Sequence, residues 1–455
     1  MNSIKNWVII VSAVVITSCG GHHQDPPVCL DENATDYHMV IFRGSANSLL
    51  SMVTRVGGTV ERIHPEIGVA TVSGLSERAA KRLGRSRSVM SIGSDIEVDW
   101  LRERVDEIVE TDGGVSARIG EHKDPTTAAF YNVFQWNMRT IGSTEAWELE
   151  QGDESVRIAI VDSGISDNHF DLDGKYDISS SMNFTSSDPT DLVDFNGHGT
   201  QVAGIISTNN HFIAGLAPHT TLIGIKVLED DGSGNFSDLV AGIMHAVDGA
   251  DADIINISFG SHFSPNYYLC SGLRTSIAAL KKAIQYANTQ GVLVVAAAGD
   301  GDDMYVGHDL GSVGLLHFPS QFHQVLSVGA NAPINQQDFD SLTSYSNYGR
   351  RAVDVVAPGG NDLLVDGTFL DGIMTAVSPE LVNGSTNRYN TTSGTGISAA
   401  HVSALAALIS AQNSETLSPY ELKQKIKDTA DDLGVLGKDE LYGAGRINAY
   451  RALTE

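Results

Sequence analysis

Five segments of this chain, VRIAIVD (156–162), TLIGIKVL (221–228), ADIINISF (252–259), GVLVVAAAG (291–299) and VLSVGA (325–330), are continuous apolar runs bounded by Gly, Asp or Asn. A strand with one wet face alternates apolar and polar residues. These do not, so both faces must be covered, as in a parallel sheet held between helical layers. Helix-like stretches fall between several of them. The expected architecture of residues 130–455 is therefore α/β, with ligands bound beyond the carboxyl ends of the strands.

Polar residues gather at those ends. Asp162 closes the first run, where an aspartate can simply cap a turn, and His198 stands between glycines in FNGHGTQVAGII, where it can simply be a surface residue. In this order and with these neighbours, the two blocks resemble the aspartate and histidine blocks of the subtilisin-like serine proteases. The resemblance extends through QWNMRTIGSTEAW (135–147), GLAPHTTLIGIKVLEDDGSGNFSDLVAGI (215–243), FPSQFHQVLSVGA (318–330), LTSYSNYGRRAVDVVAPG (342–359) and YGAGRINAYRA (442–452). It implies that Asp162 orients His198, that His198 takes the proton of a nucleophilic serine, and that hydrogen-bond donors hold the developing oxyanion.

The serine block departs from this pattern. In TTSGTGISAAHVSALAAL (391–408), Gly394, Thr395 and His401 keep the family register, and Gly396 stands at the nucleophile position. Ser398, two residues on, is rotated by roughly 200° on a helix and would point away from His198. Asp300, in VVAAAGDGDD, occupies the place of the oxyanion asparagine; an ionised carboxylate accepts but cannot donate a hydrogen bond. By the same resemblance, Gly232, Ser233 and Gly234 on one side and Ser258, Phe259 and Gly260 on the other would flank an extended peptide bound as an added strand. Ala298 and Gly299 would line the pocket for the residue before the scissile bond. Asp171 and Asn209 align with side-chain ligands of a family calcium site, although the loop TNNHFIAG is short for one. No cofactor is required for the chemistry.

Ahead of this domain, residues 37–100 read as strand-helix-strand-strand-helix-strand, a small α+β ferredoxin-like module. The wording VATVSGLSERAAKRLGRSRSVMSIGSDIEVDW (69–100) resembles the inhibitory prodomain of the same proteases, which implies a C-terminal tail, DIEVDW (95–100), lying in the active-site cleft. The module suits docking electrostatically. Residues 37–95 carry eight Lys/Arg against four acids, +4, in a chain of net charge −27, which leaves −31 elsewhere. Such an acidic chain excludes nucleic acid as a partner.

Residues 101–129 read as a linker. Residues 1–19 hold one lysine, an apolar run too short to span a bilayer, and Ile16-Thr17-Ser18-Cys19, which resembles a lipoprotein export signal with Cys19 as the lipidated residue. Gly20, rather than an aspartate, follows, pointing to a lipid anchor in the outer membrane of a bacterial envelope; residues 20–36 would be a tether. Cys29 and Cys270 can pair or stay as two free thiols.

Three functions fit: a subtilisin homologue that binds peptide, or its own prodomain, with hydrolysis impaired or lost; an active secreted endopeptidase; and a non-catalytic envelope scaffold.

Overall fold

The computed structural model describes residues 34–101, 108–109, 123–166, 168–302, 304–312, 314–361, 369–413 and 416–455. The proposed export signal, Cys19, most of the tether and most of the linker lie outside the described residues.

An eight-stranded sheet forms the centre of the large domain, ordered Gln337–Leu342, Val325–Ile334, Leu293–Ala297, Ile254–Ile257, Arg157–Asp162, Thr221–Lys226, Met182–Asn183, with Val355–Pro358 also paired to Val325–Ile334. All pairings are parallel except the hairpin of Gln337–Leu342 with its neighbour. Successive residues of each strand face opposite layers. Ile158, Ile160, Ile254 and Val295 pack with the helices His198–Ile206 and Thr395–Gln412, whereas Ala159, Val161, Ile255 and Val294 pack with Phe236–Asp248 and Ser271–Thr289. Burial on both faces is the reason these strands could be read as unbroken apolar runs. Thr395–Ile409 is buried on every side, as a helix apolar all round must be.

The N-terminal module orders its strands Thr59–His64, Val69–Ser73, Ala34–Phe42, Val89–Asp99, all antiparallel, with helices Ala46–Arg55 and Glu77–Leu83. Val40, Phe42, Ala70 and Val72 face its own helices. Met39, Ile41, Val69 and Ile96 face the other way and join the core around Phe236–Asp248 and Ser271–Thr289. Gly93 allows the closest approach, since a β-carbon there would run into the backbone of Ser271. The interface is therefore mainly apolar. Its charge complementarity includes the Arg62–Asp238 ion pair, with Arg62 also donating to the Phe184 carbonyl at 2.9 Å.

Two boundaries differ from the sequence reading. The last strand of the module, Val89–Asp99, takes in most of the segment read as a separate tail, because Glu97–Asp99 finds a partner strand in the large domain. The linker is also shorter than 101–129: Pro125 and Ala128 are buried, Ala129 N–H donates to the His211 carbonyl at 3.0 Å, and Ile108–Val109 pairs with Tyr389–Asn390. Cys270 is disulfide-bonded; Cys19 and Cys29 are outside the described residues. Among the described residues no helix is long and apolar enough to cross a membrane.

Candidate active site

Asp162 ends its strand fully buried, and His198 opens the helix His198–Ile206. The imidazole Nδ1 lies 2.8 and 3.0 Å from the two Asp162 oxygens. This pairing fixes the tautomer that leaves Nε2 toward the groove as an acceptor.

A third acid, missed in the sequence, builds the turn that carries His198. The buried Asp194 carboxylate accepts from Gly197 N–H (2.7 Å), Thr200 N–H (2.9 Å), the Thr200 hydroxyl (2.6 Å) and the Ser163 hydroxyl (2.8 Å). It caps the helix in place of the Gly197 N-cap, which has no side chain to do so. Burial pushes its carboxyl above the ordinary range despite these donors. Its spacing before a helix start was the available signal. Asp194→Ala should cost about 4 kcal/mol or more, since it leaves four buried donors and each one unpaired costs about 1–3. Denaturant unfolding would measure this, and the low-field proton of the His198–Asp162 hydrogen bond should disappear from the NMR spectrum.

Gly396 lies in the first turn of Thr395–Gln412, at the same cavity as His198. No room is left for a side chain at Gly396. A β-carbon on Gly396 would lie well inside contact distance of the Ser258 carbonyl oxygen and 3.2 Å from Ser258 Cβ. The Ser258 hydroxyl donates to the Gly396 carbonyl at 3.2 Å. Ser398 is turned into the core, donating to the Ala357 carbonyl at 2.9 Å. His401 is buried, held by the Ile397 carbonyl (2.9 Å) and the Asn137 amide (2.8 Å), and burial lowers its pKa to about 4.

Asp300 serves as an acceptor at the start of this helix. One oxygen accepts from the Thr395 backbone N–H at 2.8 Å and from the Thr395 hydroxyl at 2.6 Å. Gly394, the N-cap, has no side chain, so Asp300 caps this helix from another loop, where its charge meets the positive end of the helix dipole.

The groove holds the end of the N-terminal module. Glu97, Val98 and Asp99 pair antiparallel with Asn235, Gly234 and Ser233, and Trp100 and Leu101 N–H both reach the Gly232 carbonyl (3.1 and 3.2 Å). Gly232 has φ +84°, and a β-carbon there would sit 2.8 Å from Leu101 Cβ, so glycine is required twice over. Trp100 is buried against Phe236, Phe259 and Phe263, ring centroids 5.1, 5.5 and 6.4 Å away, while its indole N–H donates to the Gly234 carbonyl at 2.9 Å. Beyond it opens a cavity of about 390 Å³ lined among others by His198, Ser258, Gly260, Gly299, Asp300 and Gly396. Ala298 is not on that lining. It packs with Leu310, Ala352, Val353 and Val356, and the neighbouring Ala297 lines the cavity in its place, because alternate residues at a strand end face opposite ways. His317 and His262, unremarked in the sequence, also line it.

The proposed calcium ligands do not fit a cation. Asp171 is fully buried, and its carboxylate accepts from His211 N–H (2.8 Å), Phe212 N–H (3.0 Å), Ile213 N–H (3.3 Å) and the Tyr389 hydroxyl (2.8 Å). The Asn209 amide N–H₂ donates to the Asp173 carbonyl at 2.8 Å. Donor hydrogens thus point at both Asp171 oxygens, which would have to face the metal. No group of three or more His, Cys, Asp or Glu able to hold a metal occurs among the described residues.

A doubly covered parallel sheet with a buried Asp-His pair at its strand ends, facing the start of a buried helix, defines a subtilisin-like domain. Residues 153–445 match the Subtilase family, and the chain belongs to it. It is 35% identical over 328 residues to a thermophilic serine proteinase of Bacillus sp. (strain AK1), covering 71% of this chain and 68% of that protein. It is 29% identical over 327 residues to thermitase of Thermoactinomyces vulgaris, covering 71% and 97%. Among solved structures, the epidermin leader peptide processing serine protease of Staphylococcus aureus superposes with TM-score 0.72 at 23% identity, over 92% of this chain and 97% of that one. A lanthipeptide protease superposes with TM-score 0.57 at 28% identity, over 68% and 90%.

Proposed function

We propose that this subtilase binds an extended protein segment in its groove and does not hydrolyse it, and that the N-terminal module is an inhibitor-type prodomain whose tail is the segment bound. The observation that carries the reading is Gly396: no side chain is available to attack a carbonyl, and the Ser258 backbone fills the space a side chain would need. Asp300, engaged as an acceptor, adds an anion where an oxyanion would develop. The intact Asp162–His198 pair favours the second reading, a working serine endopeptidase, and the same experiment separates the two. Purified from a host lacking other proteases, the protein should run as one chain with the module attached, and a fluorophosphonate probe should leave it unlabelled. New N-termini between residues 101 and 130 that vanish in His198→Ala would establish hydrolysis instead.

Trp100 is the tail's main apolar anchor, beside the main-chain pairing of Glu97–Asp99. Trp100→Ala removes an indole buried among three phenylalanines, a change that typically costs about 3–5 kcal/mol. Backbone amides of Val98–Leu101 should then lose hydrogen-exchange protection while those of Arg157–Asp162 keep theirs.

We further propose export and anchoring in the bacterial envelope through Cys19, in the outer membrane. Cys19→Ala should move the protein from the membrane to the soluble fraction; an unchanged distribution would remove the anchor.

A further inference from the structure

We infer that His317 fills the side-chain pocket beside Gly396, so that the groove accepts a segment presenting glycine or alanine there and refuses larger side chains. The inference rests on the peptide-binding reading above and names the class of segment taken from another chain once the tail is displaced, since residues 102–105 of this chain, Arg-Glu-Arg-Val, include neither glycine nor alanine.

The pocket walls are the Ser258–Gly260 segment and the turn after Leu293–Ala297, where Gly299 has φ +99°. The His317 ring lies between them. A β-carbon on Gly260 would collide with His317 Cε1, and one on Gly299 with His317 Nε2, so the imidazole already touches both walls at contact distance. It is 1% exposed yet lines the cavity, which places its edge at the pocket floor.

The ring is held at Nδ1, which lies 2.8 Å from the Ser320 hydroxyl. Burial first, and the neighbouring His262 second, hold its pKa well below the usual histidine range, so the ring is neutral. A neutral ring offers an acidic side chain no cation. Swinging it aside would leave the Ser320 hydroxyl without this partner.

The test uses the full chain carrying Trp100→Ala, in which the bound tail is weakened, and fluorescent peptides Glu-Val-Asp-Trp-Leu followed by four alanines, the tryptophan setting the register. Phenylalanine replaces each alanine in turn, and binding is read by anisotropy. Should Trp100→Ala fail to fold by near-ultraviolet circular dichroism, Trp100→Leu takes its place. At one position phenylalanine should weaken binding at least about tenfold, and His317→Gly should erase that loss or turn it into a gain of about tenfold, the range expected for burying an aromatic side chain in a freed pocket. His317→Ala provides a second, less open variant with the same direction. Equal binding of alanine and phenylalanine at all four positions, or a loss unchanged in both His317 variants, overturns the inference while leaving the groove reading standing. Failure of every peptide to bind folded protein overturns the groove reading itself, and the inference with it.

Discussion

Gly396→Ser is expected to create a protein that a fluorophosphonate labels, where the native chain is not labelled, and that begins to cut its own module from the large domain. The new hydroxyl would stand at the cavity shared with His198, whose Nδ1 is already paired with Asp162. Loss of the serine in subtilisin costs about 10⁶ in turnover, so even a poor restoration is measurable. The Ser258 carbonyl must withdraw before a β-carbon fits, and overpacking of this kind costs about 1–3 kcal/mol. The single variant should therefore unfold at lower denaturant and turn over slowly. Adding Asp300→Asn keeps an oxygen for Thr395 N–H and supplies an amide donor, and one oxyanion donor is worth about 10² to 10³ in turnover. Labelling of the native protein that His198→Ala abolishes would contradict the non-hydrolysing reading. Silence from both folded variants would mean that Ser258 does not yield.

Asp95 should make docking of the N-terminal module strongly pH-dependent. It sits in the interface with no exposed surface; Oδ1 accepts from Ile96 N–H (3.0 Å) and from Ser237 N–H (3.2 Å) at the start of helix Phe236–Asp248, and Oδ2 has no partner among the described residues. Burial chiefly, with the neighbouring Asp238 adding to it, pushes its pKa up to about 7; Asp238 is itself paired with Arg62. An acid with a raised pKa in the docked state binds a proton on docking. Its favourable contribution is therefore complete below the solvent value of about 4, falls as pH climbs to about 7, and is flat above. A shift of roughly three units corresponds to about 4 kcal/mol, or a factor on the order of 10³ in the docking equilibrium. Hydrogen exchange of Val98–Leu101 at pH 4.5 and at pH 8 should show this loss in the native chain, and Asp95→Asn should flatten it and strengthen docking at pH 8. An unchanged slope in Asp95→Asn would assign the pH dependence elsewhere.

Much of the fold was legible because burial on two faces writes itself into composition. Ile254–Ile257 and Leu293–Ala297 are apolar at every position but Asn256, and no other environment asks for that. Asp162 and His198 were legible because each lies at a boundary, strand to loop and loop to helix, that local residue types mark. Asp194 and His317 were not, since an aspartate before a helix and a histidine in a loop have many ordinary uses. Their roles appear only when Thr200 and Ser163, or Gly260 and Ser320, come within hydrogen-bonding distance.

By itself, then, the sequence determined a parallel sheet covered on both faces, the placement of Asp162 and His198 at its strand ends, and the absence of a nucleophilic side chain at Gly396. Tertiary structure alone decided that the Ser258 carbonyl closes the space at Gly396, that Asp300 caps the helix start where an oxyanion residue was expected, that Asp171 accepts from four hydrogen donors, and that Trp100 anchors the tail among three phenylalanines. The division has a physical cause. Burial pattern and backbone punctuation are properties of neighbouring residues, whereas occupied volume and hydrogen-bond saturation are set by partners such as Gly396 and Ser258, 138 residues apart, which meet only when the chain has folded.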